Sequence, residues 1–469
     1  MRTRFSLLPA ALLAVIVAAC NGGDAAPTPT TAPTTTATPA VEVRTATTAP
    51  LSTSTAEPPS PTPTLVELFP QLGTPTGVKT TFRSPEFEAL PGATVEFGEL
   101  GGSVYRIEVP DDWNGELVMW AHGFRGFGTE LRVSSPGFGM RQILIDEGYA
   151  WAASSYSENG YVPGIGADDT LALKQYFEAT YGEAERTYIG GGSMGGNVVV
   201  LSLEHFLGVY QGGLSYCGAV GGQEQIDYLI SWLAVAEYVT GTELPIGEGI
   251  LAVTSKMVGE LFPGLGSPGD PTIAGQQLKS AMLELGGGER PFFNEGYIDQ
   301  FEANTGYILS DPDRESLVTR AATNVDTVYS LDERLGLSAA ELNAGVRRFV
   351  AETEARDPVA HPDAVPTSGW ISVPLLTIHN SGDVFVPISL EIAFREKVDG
   401  VGAGDLLVQR VIRSGGHCTF TDEEVRQSFE DLVKWVEEGA VPAGDDLGDL
   451  ANAGLAFTNP LRDKDPLAP

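Results

Sequence analysis

The segment Gly190-Gly191-Gly192-Ser193-Met194-Gly195-Gly196 follows directly on a β-prone run, Thr187 to Ile189, and leads directly into a helical pattern from Gly195 to Phe206. Few folds admit such a segment. A strand that turns straight into a helix has very little room, so the positions flanking the bend must lack side chains. Gly191, Ser193 and Gly195 fit G-x-S-x-G. In that arrangement a serine sits in a strained conformation at the apex, its hydroxyl raised above the sheet edge. The helix N-terminus then points at any negative charge that develops there. The other uses of such a segment are a plain glycine turn or a phosphate-binding loop. The phosphate loop fails on composition, because the Lys-Ser/Thr pair of a P-loop is missing, as is the acid that closes a dinucleotide fold.

The surrounding pattern fits a strand-to-helix turn. Short apolar runs at Gly115 to Ala121, Tyr149 to Ser155, Thr187 to Gly190, Gly213 to Cys217, Val373 to His379 and Leu406 to Ile412 alternate with helical patterns. Helices are predicted at Asp168 to Tyr181, Gly195 to Phe206 and Leu390 to Val398. Another begins at Thr421, where Thr421 and Glu424 make a capping box, and stops at Gly439. Thr94 to Phe97 and Ser103 to Val109 read as an antiparallel hairpin feeding the sheet. This is the pattern of a mostly parallel sheet flanked by helices. The strand rhythm lapses once, between Cys217 and Val373, where the periodicity turns helical, as in Tyr228 to Val239 and Leu331 to Thr353. That block reads as a large helical cap inserted after the sixth strand. The predicted division is therefore a core of residues 66–221 and 366–440 with a cap of residues 222–365.

A nucleophilic serine needs a base, and the base needs an orienting acid. Asp383 lies just past the buried run Leu375 to His379, and His417 lies in Ser414-Gly415-Gly416-His417-Cys418 just past the next run. Each falls at the C-terminal end of a strand, where ligands gather in open α/β sheets. With Ser193, Asp383 and His417 in that order, the chain resembles the α/β-hydrolase superfamily over about residues 90–440. Pro110-Asp111-Asp112-Trp113-Asn114-Gly115, leading to His122-Gly123, resembles secreted bacterial esterases and prolyl-oligopeptidase-like hydrolases. The resemblance implies that the backbone N–H groups of Phe124 and Met194 form an oxyanion hole. It also implies cleavage of a carboxylic ester through a Ser-His-Asp triad and an acyl-enzyme. A prolyl-oligopeptidase-like peptidase is the neighbouring alternative, although nothing here resembles the propeller domain of oligopeptidases. A non-catalytic surface-anchored binding lipoprotein with the same fold is the alternative from another class.

The remaining candidates are weaker. Of the other histidines, His122 reads as a structural loop residue, His205 as packed on the helix after Ser193, and His379 as part of the core; His361 has no assigned part. Asp363 is the rival acid, but it belongs to the cap edge and not to a strand end. No H-E-x-x-H or paired-cysteine spacing appears, so neither a metal nor a cofactor is expected. Aromatic residues near the rim, Tyr156, Phe385 and Phe420 together with Phe124, are expected to line the pocket for a small-molecule ester.

The ends and the charge complete the expectations. Residues 1–19 carry Arg2 and Arg4 before an apolar run that closes in Val17-Ala18-Ala19-Cys20, which resembles a bacterial lipobox. A lipid on Cys20 then anchors the protein to the outer face of the bacterial cell membrane, and this lipid is the expected membrane contact. Residues 20–65 form a Thr/Pro-rich tether without aromatic residues, too poor in apolar surface to fold. Residues 441–469 read as an acidic flexible tail. Three cysteines exclude a disulfide scaffold. With Cys20 lipidated, Cys217 and Cys418 remain on the rim of the site, in an oxidising setting, and a disulfide between them is expected. Tannase and feruloyl-esterase relatives also place a Cys after the histidine but pair it with one preceding the serine, where this chain has Gly192. The net charge of −34 excludes a nucleic-acid partner held by phosphate contacts and favours neutral or cationic substrates.

Overall fold

The computed structural model describes residues 71–73, 77, 79–82, 87–246, 250–309, 320–356 and 366–467. The leader, Cys20, the tether, His361 and Asp363 lie outside the described residues. Eight strands form one sheet: β1 (Ala93–Leu100), β2 (Ser103–Pro110), β3 (Glu116–Ala121), β4 (Ala150–Ser154), β5 (Arg186–Gly192), β6 (Gly212–Tyr216), β7 (Leu375–Asn380) and β8 (Leu407–Ile412). Their spatial order is β8-β7-β6-β5-β3-β4-β2-β1. Only β2 runs against its neighbours β1 and β4; the other adjacent pairs are parallel. This is the α/β-hydrolase fold that the strand rhythm and the motifs imply.

Alternation along β3 shows how the sheet divides two cores. Leu117, Met119 and Ala121 face one side and Val118 and Trp120 the other, all buried. The longer helices are α1 (Met140–Asp146), α2 (Pro163–Tyr181), α3 (Met194–His205), α4 (Gln223–Thr240), α5 (Ile250–Lys256), α6 (Ile273–Leu285), α7 (Phe293–Leu309), α8 (Ala339–Gly345), α9 (Ser389–Gly400) and α10 (Asp422–Glu438). On the first face, α2, α3 and α9 bury Leu171, Val198 and Phe394. On the second, α1 and α10 bury Ile143, Phe429 and Leu432. The Thr421–Glu424 capping box opens α10, and Gly439 in the left-handed region closes it.

Helices α4 to α8 lie between β6 and β7, so the insertion follows the sixth strand. The structure departs there from the helical periodicity of the sequence. Leu331 to Thr353 is not a continuous helix: a short 3-10 turn at Glu333–Leu335 and α8 are its only helical pieces. A Ser338–Glu341 capping box starts α8, but Val346 is extended. Beyond it the backbone is captured from outside. Asn324 accepts from Phe349 N–H at 2.7 Å and donates to Arg347 O at 2.9 Å, and Thr323 Oγ1 donates to Phe349 O at 2.9 Å. Side-chain partners thus replace the helical ladder.

The tail also departs from expectation. Residues 441–467 pack along β8, an edge strand whose outward N–H groups need acceptors. Asp445 accepts from Val411 N–H at 2.7 Å, and its own N–H donates to Gln409 O at 2.8 Å; Thr458 Oγ1 accepts from Arg413 N–H at 2.8 Å. Acidic, Gly- and Pro-rich composition suggests loose order, but these partners tie the segment down.

Candidate active site

Ser193 occupies the turn between β5 and α3 with φ 58° and ψ −124°, a strained conformation for a residue with a side chain. The turn is pinned by Ser193 N–H donating to Tyr216 O at 2.9 Å, while Ser193 O accepts from Gly196 N–H at 2.9 Å and Ala219 N–H at 3.1 Å. The flanking glycines are required by close approach. A Cβ on Gly195 would stand 2.1 Å from Ala121 O, and one on Gly191 would stand 2.6 Å from Gly195 O.

The three residues expected at the strand ends form one hydrogen-bonded chain. His417 Nε2 lies 2.9 Å from Ser193 Oγ, and His417 Nδ1 lies 2.5 Å from Asp383 Oδ2. The other carboxylate oxygen of Asp383 accepts from Phe385 N–H at 2.9 Å and Val386 N–H at 3.1 Å, so the fully buried acid is held in one orientation. Asp383 is thus aligned to the imidazole, and the imidazole to the hydroxyl. Behind the acid lies His379, which donates from Nε2 to Val386 O at 2.8 Å and has Glu391 3.4 Å from Nδ1. Burial acts to lower the His379 pKa, but Glu391, Asp383 and Val386 O together outweigh it and the net shift is upward.

The loops that carry this chain are cross-tied. Cys217, at the end of β6, forms a disulfide with Cys418, as expected, with the two Cα atoms 5.2 Å apart. Asn380, the last residue of β7, donates to Ser414 Oγ at 2.7 Å and Thr419 O at 2.8 Å, and accepts from Thr419 N–H at 3.0 Å. It therefore holds both flanks of the His417 loop. Its place beside Asp383 is visible in the sequence, but its reach across to the next loop is not. Cys217, His417 and Cys418 bring three potential metal ligands within 4.8 Å of one another. The two sulfurs are bonded to each other, so the group offers no thiolate.

The two expected oxyanion donors come from the first residue of α3 and from the loop after β3. Met194 opens α3, so its N–H has no partner inside the helix. The loop after β3 passes beside the hydroxyl: a Cβ on Gly123 would stand 3.1 Å from Ser193 Cβ and 3.6 Å from Ser193 Oγ. Phe124 follows, its ring buried against Phe127 at 5.1 Å. His122 is structural in its surroundings, with Nδ1 2.7 Å from Gly123 O and Nε2 3.0 Å from Ser155 O. Burial pushes its pKa down to about 3.

The aromatic residues expected to line a pocket do not act together. Tyr156 is wholly buried, stacks on His122 at 3.9 Å and donates its hydroxyl to His122 O, so it has no face for a substrate. Phe420 packs against Phe138 and Tyr216 in the core on the second face of the sheet. Phe385 meets the hydrogen-bonded chain, its ring edge-on to His417 at 5.4 Å. Residues of the insertion also reach the site, which the sequence does not foretell: Arg290 donates from Nε to Ser381 O at 2.8 Å, and Gln300 contacts both loops.

No family model matches the chain. An o-phthalyl amidase from Xanthobacter agilis is 22% identical over 452 residues, covering 80% of this chain and 95% of that one. Among solved structures, feruloyl esterase B from Aspergillus oryzae is similar at 13% identity and a TM-score of 0.42, over 74% of this chain and 80% of that chain. An esterase from Pyrococcus furiosus shows 12% identity and a TM-score of 0.40, over 76% and 97%. An acylaminoacyl peptidase from Pyrococcus horikoshii shows 12% identity and a TM-score of 0.38, over 77% of this chain and 44% of that chain.

Proposed function

We propose that this chain is a serine hydrolase that cleaves a carboxylic ester through an acyl-enzyme. The observation that carries the proposal is the chain Asp383–His417–Ser193 with the serine on a strained strand-to-helix turn. Ser193 Oγ attacks the carbonyl carbon while His417 Nε2 takes its proton. Asp383 holds the imidazole in the tautomer that leaves Nε2 free to accept, and stabilises the charge it gains. The N–H groups of Phe124 and Met194 receive the oxyanion. His417 then returns the proton to the leaving alcohol, and a water, activated by the same imidazole, releases the acid and restores Ser193.

A second reading, amide cleavage by the same steps, is favoured by one observation: the relative that matches along most of both chains is an amidase by name. The two readings differ in the leaving group, an amine in place of an alcohol, and not in the residues that act.

A fluorophosphonate probe tests the shared core of both readings. It should label the wild-type chain and not the Ser193→Ala variant, whose turnover should fall ~10³-fold or more. Unlabelled, folded wild-type protein would instead favour a binding lipoprotein. Nitrophenyl esters assayed beside the matching anilides, with a phthalyl amide included, separate ester from amide preference. We further propose that the enzyme is exported and held by a lipid on Cys20. Fatty-acid labelling that persists in a Cys20→Ala variant would overturn this.

A further inference from the structure

Two loops must stay in register for His417 to reach both Asp383 and Ser193. On one side the sheet domain does this itself, through Gly382 N–H donating to Ser414 O at 2.9 Å and through Asn380. On the other side both loops meet a helix of the insertion. Helix α7 approaches so closely at Gly296 that a Cβ there would stand 1.6 Å from Gly382 O and 3.1 Å from Gly415 O. One turn further, the buried Gln300 spans the two loops. Its Oε1 accepts from Val384 N–H at 3.2 Å and Phe385 N–H at 3.0 Å, and its Nε2 donates to Gly415 O at 3.1 Å. Phe385 N–H is the same group that donates to Asp383 Oδ1. A primary amide suits this place because one end accepts and the other donates; a carboxylate lacks the donor, and an apolar side chain lacks both.

We infer that Gln300 is a positioning residue: it couples the Asp383 loop to the His417 loop, so that the hydrogen-bonded chain is aligned only when α7 is seated. The inference rests on the reading of Ser193, His417 and Asp383 as the catalytic triad. The insertion then completes the alignment of the reacting groups in addition to any part in shaping a pocket. The titratable and charged groups on the elements around Gln300 are Asp383 and His417 on the two loops, Arg290, which donates to Ser381 O, Glu295 on α7 beside Gly415, and Tyr228 on α4, whose hydroxyl donates to Val384 O.

Three variants of the full chain test this with p-nitrophenyl acetate. Gln300→Leu should lower kcat ~10- to 100-fold while KM moves by less than about 3-fold, as misalignment costs rate and not binding. Gln300→Glu supplies a signature that loss of packing does not. A protonated glutamic acid can still accept from the two N–H groups and donate to Gly415 O; an ionised one cannot donate. The ratio of its kcat to that of the wild type should therefore fall as pH rises through the ionisation of Glu at that position. Ser193→Ala serves as the reference. A Gln300→Leu enzyme within about twofold of wild-type kcat, or a Gln300→Glu ratio that stays flat with pH, would overturn the inference while leaving the hydrolase reading intact. Hydrolysis that persists in Ser193→Ala would instead remove the hydrolase reading itself. If Gln300→Leu does not fold, the Gln300→Glu pH ratio decides alone.

Discussion

Arg413 and Asp465, 52 positions apart, form a two-pronged ion pair with neither side chain exposed to solvent beyond a trace, at 2.6 Å from Nε and 3.0 Å from Nη2. The two Nη1 donors go to Ala451 O and Ala453 O, so the C-terminal segment takes up four of the five N–H donors of the guanidinium. Arg413 follows β8 directly and precedes the His417 loop, which makes the pair a clasp on that loop.

Breaking the clasp from the acid side leaves a buried guanidinium without its counter-charge, which typically costs about 3–5 kcal/mol. Asp465→Ala should therefore lower the urea midpoint markedly, whereas a surface acid such as Asp463→Ala should not. The hydrogen bond from Arg413 holds Asp465 below the ordinary carboxylate range. With its folded pKa depressed, its contribution is present above the unfolded value of about 3.9 and is lost as pH falls through the folded value. Acid unfolding monitored from pH 5 downward should show a shallower slope in the variant.

The Cys217–Cys418 disulfide ties the end of β6 to the residue after His417. Replacing both cysteines by alanine should cost about 2–5 kcal/mol of stability. It should also lower kcat more than it raises KM, because the freed loop carries the base. Steady-state kinetics of the double variant, checked by thiol titration of the wild type under denaturing conditions, decides the point. Two titratable thiols in unreduced wild-type protein would count against the bond.

Much of this site is local in sequence, and much is not. The turn at Ser193 is legible because steric demand writes glycine at fixed offsets. Asp383 and His417 are legible because each follows a buried strand by a few residues. Periodicity locates the sheet for the same reason: β3, β5 and β7 are short runs bounded by turn residues and helical patterns. Gln300 leaves no such mark, since a glutamine on a helix reads as solvated until the fold brings Val384, Phe385 and Gly415 to it. The tail misleads for a related reason. Its acidic residues look like solvated charge, yet Asp445 and Asp465 serve as acceptors for an edge strand and for Arg413. Tyr156 shows the opposite failure, an aromatic beside the site whose ring and hydroxyl are both spent on His122.

Asp383→Asn isolates the role of the acid without dismantling its loop. The amide oxygen of the substituted side chain can still accept from Phe385 N–H and Val386 N–H, so the fold should hold. Its amide nitrogen, however, would present donors to His417 Nδ1 and favour the tautomer with the proton on Nε2, which cannot take the serine proton. Turnover should drop by about 10⁴-fold with a thermal midpoint near that of the wild type. A loss of less than about tenfold would mean that another group, and not Asp383, orients the imidazole.

His122 makes the folded state sensitive to acid. Burial, helped by the charge of Arg125, pushes its pKa from 6.5 down to about 3, against the opposing pull of Gly123 O and Ser155 O. The folded protein therefore binds fewer protons at this site than the unfolded chain between pH 6.5 and about 3. Stability from the neutral ring is complete above the unfolded pKa and is lost as pH falls through that window. A His122→Gln variant retains a donor for one of the two carbonyls but has no proton to gain, so the difference in unfolding free energy between it and the wild type should shrink as pH is lowered from 7 toward 4. Chemical denaturation at successive pH values measures that difference, and nitrogen chemical shifts of the His122 ring at pH 5 should report the neutral form. A difference that stays constant with pH would mean that His122 takes up its proton alike in the folded and the unfolded chain, so that its two carbonyl contacts offset its burial.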